Sequence, residues 1–109
     1  RAGLAGVMGK PDLYRRLLCM FRDRERDFTE RFAAARAQGD TATCTRCAHD
    51  LKSVAGTLGM PELQRAAAAL EAACEQGAGS ESVETLLDTV MRQLRPLLEG
   101  LAPLQDRSG

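Results

Sequence analysis

The chain has 109 residues, 44% of them hydrophobic but only 4% aromatic, and its fifteen basic and fifteen acidic side chains cancel. That length fits a single domain over 1–109, and the balanced charge disfavours nucleic acid as a partner, because phosphate binders carry a net basic surface. No apolar run is long enough to cross a bilayer and no basic-then-apolar leader opens the chain at Arg1-Ala2-Gly3-Leu4, so no membrane segment is expected in this domain and the expected setting is cytoplasmic.

The start without Met reads as an excerpt or a processed product. With no Trp and few aromatics, the core has to come from Leu, Ala, Val and Met, and the β-branched runs of strands are missing. The expected fold class is therefore all-α. A short extra helix is expected near 3–8, ahead of a break at Gly9-Lys10-Pro11-Asp12. Segment 11–38 then places Leu13, Leu17, Phe21, Phe28, Phe32 and Ala35 on one helical stripe, with the charges from Arg22 to Asp27 read as a solvated interruption. Gly39 is placed to end that helix and Asp40 to cap the next, over 41–58. After Gly59-Met60, Pro61 suits the first turn of a helix over 61–76, whose apolar positions are Leu63, Ala66, Ala67, Leu70 and Cys74. Ser80, following Gly77-Ala78-Gly79, is the expected N-cap of a last helix with Val83, Leu87, Val90, Leu94, Leu97 and Leu101 on one face. Pro96 should kink that helix or end it early, and the tail from about 102 to 109 should fray. Short connections between long amphipathic helices imply an antiparallel up-down four-helix bundle.

Segment 41–58 carries the chemistry. On a helical wheel of about 100° per residue, Cys44, Cys47, Ala48, Leu51, Val54, Ala55 and Leu58 share one arc, and His49, the only histidine in the chain, lies opposite. Thr45, Arg46, Lys52, Ser53 and Gly56 surround it, so the imidazole faces outward among polar and small side chains. A neutral imidazole is a competent nucleophile near physiological pH, and once phosphorylated it carries negative charge that Lys52, one turn on, can moderate. Arg46, Ser53 and Gly56 leave a low, polar surface on which a protein partner could dock. Near the ring the helix offers no carboxylate except Asp50, and it has no phosphate-binding loop and no metal cage.

The run Ala48-His49-Asp50-Leu51-Lys52-Ser53-Val54-Ala55-Gly56-Thr57-Leu58-Gly59 resembles the phosphoacceptor signature of histidine-containing phosphotransfer (HPt) domains, A-H-x-L-K-G-x-A-x-x-L-G. Ser53 stands where that family usually has Gly. Leu63-Gln64 and Ala69-Leu70-Glu71 are placed as in the family's following helix. The resemblance implies a phosphorelay phosphocarrier, not an enzyme, that accepts a phosphoryl group on His49 from the aspartate of one response-regulator receiver domain and passes it to another. It implies a monomer without a cofactor of its own, with Mg²⁺ on the receiver, and a parent that is a hybrid sensor histidine kinase or another phosphorelay protein; many such domains are the C-terminal part of hybrid sensor kinases, which would fit a start without Met.

Two other readings use the same residues. His49-Asp50-x-x-Ser53 faintly resembles the phosphoacceptor box of histidine-kinase dimerisation segments, but Val54 stands where that box is followed by Pro. Cys44-x-x-Cys47-Ala48-His49 comes within one residue of the haem-attachment motif C-x-x-C-H, which would make a metal- or haem-binding bundle of Cys44, Cys47 and His49. Ala48 breaks that spacing. The plainer reading is that all four cysteines, Cys19, Cys44, Cys47 and Cys74, are thiols, with Cys44 and Cys47 small apolar residues one turn apart on the buried face.

Overall fold

The computed structural model describes residues 11–104, and these form five α-helices joined by short turns, with no strand among them. They are α1 (Pro11–Glu25), α2 (Phe28–Ala37), α3 (Thr41–Thr57), α4 (Pro61–Glu75) and α5 (Ser80–Leu101). The short helix expected near 3–8 and the tail from 105 onward lie outside the described residues.

The turns follow from local chemistry. Gly39 at φ +68° and Gly59 at φ +73° take the left-handed conformation that lets α2 and α3 stop within one residue. In each case the following amide reaches back to satisfy an orphan carbonyl: Asp40 N donates to Ala35 O at 2.8 Å, and Met60 N to Ala55 O at 2.8 Å. Asp40 caps α3 as expected, its carboxylate accepting from Thr43 N at 3.1 Å and Thr43 Oγ1 at 2.6 Å. Pro61 opens α4, where a missing amide hydrogen costs nothing.

Four expectations are corrected. Segment 11–38 is not one helix but two, broken at Arg26-Asp27. Neither residue is a helix breaker. Charge pairing wins instead: Glu25, expected in a solvated stretch, is 1% exposed and accepts from Arg31 Nη2 at 3.0 Å across the break. Leu13 sits 39% exposed at the far end of α1 rather than in the core. At the start of α5 the N-cap is Gly79, and Ser80 is the first helical residue, its hydroxyl accepting from Arg36 Nη2 at 2.9 Å. Finally, α5 runs through Pro96 to Leu101. Pro96 and Arg92, whose carbonyl loses its helical donor there, are both exposed, so water can serve the freed group.

The core is built mostly from small and branched aliphatics. Ala48, Leu51 and Ala55 of α3, Ala67 and Leu70 of α4, and Val90 and Leu94 of α5 are all fully buried. Phe28 and Phe32 close it from α2 as a stacked pair with centroids 5.8 Å apart. The α3–α4 contact is the most extensive, because alanines on both helices let the backbones approach closely. Each buried Leu contributes roughly 1.5–3 kcal/mol by removal from water. At the other end of the chain Arg22 of α1 donates to the carbonyls of Leu101 and Leu104 and so ties down the end of α5.

Candidate functional site

The buried stripe of α3 fixes what its other face shows. Cys44, Cys47, Ala48, Leu51 and Ala55 point into the core. His49, mid-helix, therefore points out, and its side chain is 53% exposed. Contacts between α3 and α4 pair Gly56 with Gln64 at one end and His49 with Glu71 at the other, so these two helices run in opposite directions.

That pairing brings to His49 a group that reading along α3 did not supply. Glu71 Oε2 lies 2.9 Å from His49 Nδ1, and Glu71 Oε1 lies 2.7 Å from Lys52 Nζ. One carboxylate, 13% exposed, thus holds both the ring and the ammonium of the next turn. The Lys52 hydrogen bond is the main cause keeping the Glu71 carboxyl below the usual carboxylate range; burial opposes it, and the bond from His49 adds to it. An ionised carboxylate can only accept, so Nδ1 carries the ring hydrogen and donates it. The lone pair of a neutral imidazole is then on Nε2, the nitrogen that Glu71 does not hold. Sequence reasoning had Ala69-Leu70-Glu71 in view only as part of a family pattern. The usable signal was Glu71's place on α4, which an antiparallel partner brings level with residues 49–52.

The other residues singled out from the sequence fall around the ring. Arg46 and Ser53, a turn to either side, are exposed. Lys52 is 32% exposed, its ammonium committed to Glu71. Gly56 is half-buried, and a Cβ there would meet the Gln64 amide at 2.5 Å, so its smallness serves the α3–α4 contact as well as the surface. Asp50 does not approach the imidazole's partners but pairs with Arg24 Nη2 of α1 at 3.3 Å. Arg24 and Arg31 both reach Glu25, at 3.8 Å and 3.0 Å. Burial pushes the Glu25 carboxyl up; the two arginines pull it back, and Asp50 adds to the rise. This charged cluster pins the end of α1 beside α3.

Cys44, Cys47 and Cys74 are at most 7% exposed on the core side, and burial pushes each thiol up. They face away from His49 and do not converge with it. Among the described residues no group of His, Cys, Asp or Glu is arranged to hold a metal ion, and no helix is long and apolar enough to cross a membrane.

The arrangement offers one exposed imidazole whose Nδ1 is held by a carboxylate, with a cation one turn away on the same carboxylate. A family model described as Hpt domain matches residues 16–103. Comparisons with curated proteins and with solved structures give no match.

Proposed function

The chain belongs to the Hpt domain family, a family of phosphotransfer modules that meet receiver domains in phosphorelays, and on that footing we propose that it carries a phosphoryl group on Nε2 of His49. The Nε2 lone pair attacks the phosphorus of a receiver's aspartyl phosphate. The P–N bond forms as the aspartyl O–P bond breaks, and the carboxylate leaves with the electron pair. The reverse step, onto the aspartate of a second receiver, returns the chain to its starting state. Lys52 balances charge on the phosphorylated ring. Arg46, Ser53 and Gly56 form the surrounding docking surface, and the receiver brings Mg²⁺ and its own acid–base groups. The module acts as one up-down bundle, a monomer in the cytoplasm.

The observation that supports this reading is the placement of the chain's sole imidazole on the exposed side of α3, with Nδ1 committed to Glu71, which leaves the ring lone pair to Nε2. Incubation with a phosphorylated receiver domain tests it. Wild type should strip the phosphoryl group from the receiver, and His49→Gln, which keeps the helix but not the nucleophile, should not. Transfer to the Gln variant would place the acceptor elsewhere.

A further inference from the structure

The carboxylate bound to His49 is negatively charged, and that charge matters more after phosphorylation than before. A neutral imidazole that attacks through Nε2 while keeping its Nδ1 hydrogen becomes a phosphoimidazolium, with a new positive charge spread over the ring. Glu71 Oε2, 2.9 Å from Nδ1, lies against that charge. The parallel in acyl transfer is an acidic residue that stabilises the imidazolium formed when a histidine takes up a proton.

Resting on the phosphocarrier reading, we propose that Glu71 is a positioning residue that sets the pH range over which phosphorylated His49 remains a reactive donor, by holding the proton on Nδ1 of the phosphorylated ring. Loss of phosphate to water shows the effect most simply. Water oxygen bonds to phosphorus, the Nε2–P bond breaks and its electron pair returns to Nε2, Nδ1 keeps its hydrogen, and the water proton leaves with inorganic phosphate. Departure is easy when Nδ1 is protonated, because the leaving group is a neutral imidazole. It is hard when Nδ1 is bare, because the leaving group would be an imidazolate.

Two opposed consequences follow. Where the ring is fully protonated, Glu71 stabilises the cationic ground state more than the partly discharged transition state, and decay is slowed. At higher pH, Glu71 keeps a larger fraction in the protonated form, and decay stays faster than it otherwise would. The rate profiles with and without the carboxylate must therefore cross. The charged groups around the ring are Arg46, Asp50 and Lys52 on α3, Glu71 and, a turn further on, Glu75 on α4, with Arg24 of α1 reaching only Asp50. Of these, Glu71 alone is hydrogen-bonded to the imidazole.

The test uses Glu71→Gln, whose amide oxygen can still accept from Nδ1 and orient the ring without the charge. Protein phosphorylated by phosphoramidate, which needs no docking partner, is freed of donor and followed for loss of phosphohistidine from about pH 5 to about pH 9, a span that brackets proton loss from an imidazole. Charge-assisted hydrogen bonds are roughly twice as strong as neutral ones, so Glu71→Gln should decay about fivefold more slowly than wild type on the alkaline side and faster on the acid side. Lys52→Gln, which leaves Glu71 unneutralised, should move the alkaline fall-off the opposite way. Coincident profiles, or a uniform change at every pH, overturn the inference, as does a folded Glu71→Gln that takes no label, since the Nε2 lone pair survives that change. Failure of wild type to form any phosphohistidine is a different result: it removes the phosphocarrier reading itself.

Discussion

Leu51→Ala separates the two faces of α3. Leu51 is two residues from His49 yet fully buried, and it is flanked one turn away on either side by Ala48 and Ala55, also fully buried. Alanines have no side-chain atoms that can swing into a void, so the cavity left by Leu51 collapses poorly, and the cost should fall in the upper part of the usual Leu→Ala range, about 3–5 kcal/mol. A domain of this size has roughly 5–15 kcal/mol in all, so the variant loses a large share of its stability and melts about 15–25 °C lower. Urea titration followed by far-ultraviolet circular dichroism should show the midpoint falling with an unchanged slope. His49→Gln, on the exposed face, should stay within about 0.5 kcal/mol of wild type. In the cold, where the Leu51 variant is still folded, His49 should accept phosphoryl from phosphoramidate at the wild-type rate. A Leu51→Ala protein as stable as wild type, or a His49→Gln protein that loses several kcal/mol, would show that the faces are reversed.

Arg31→Met should strand the buried Glu25 carboxylate and cost roughly 1–3 kcal/mol, the pair being partly open to water; adding Glu25→Gln should recover part of that loss, and additive losses would mean the ion pair is unimportant. The two kinds of carboxylate predict opposite pH trends in urea melts. Asp40 and Glu71, both held low, contribute stability at neutral pH that disappears as pH falls below the ordinary carboxylate range and through their lowered values. Glu25, raised by burial, does the reverse: stability declines as pH rises from the ordinary range through its raised value, and Glu25→Gln should remove that decline. Cys44, Cys47 and Cys74 should react slowly with an aromatic disulfide reagent in the native protein and quickly once it is unfolded; fast native labelling would contradict their burial. Gly56→Gln should displace Gln64 and raise the docking surface, slowing receiver-driven transfer while phosphoramidate labelling of His49 holds, and an equal fall in both would refute a docking role.

The α3 faces were legible from the sequence because one helix contains all the information: period 3.6 sends Leu51 inward and His49 outward, and Gly39, Asp40, Gly59 and Pro61 mark its ends by local chemistry alone. What stayed hidden depends on contacts between helices. The break after Glu25 has no Gly or Pro to announce it, and Glu25 is a surface residue by type that became buried only because Arg24 and Arg31 come with it. Pro96 reads as a stop, but an exposed position lets water replace the hydrogen bond it removes. Ser80 had good N-cap chemistry, yet Gly79 took the cap while Arg36, far away in sequence, engaged the Ser80 hydroxyl. Glu71 is the most consequential case. Nothing on α3 names the group that fixes the imidazole tautomer, and Glu71 reaches it only because α4 folds back along α3 at the right register.

The phosphocarrier reading meets its most direct test in the chemistry of the label itself. The chain should be phosphorylated from a receiver domain, digested, and mapped by mass spectrometry without exposure to acid, with the nitrogen assigned by phosphorus and nitrogen NMR on the intact protein. The expected result is a single acid-labile, alkali-stable phosphoryl group in the peptide containing His49, bonded to Nε2, and absent from His49→Gln. Label that survives acid, lies in another peptide, or persists in the Gln variant would contradict it.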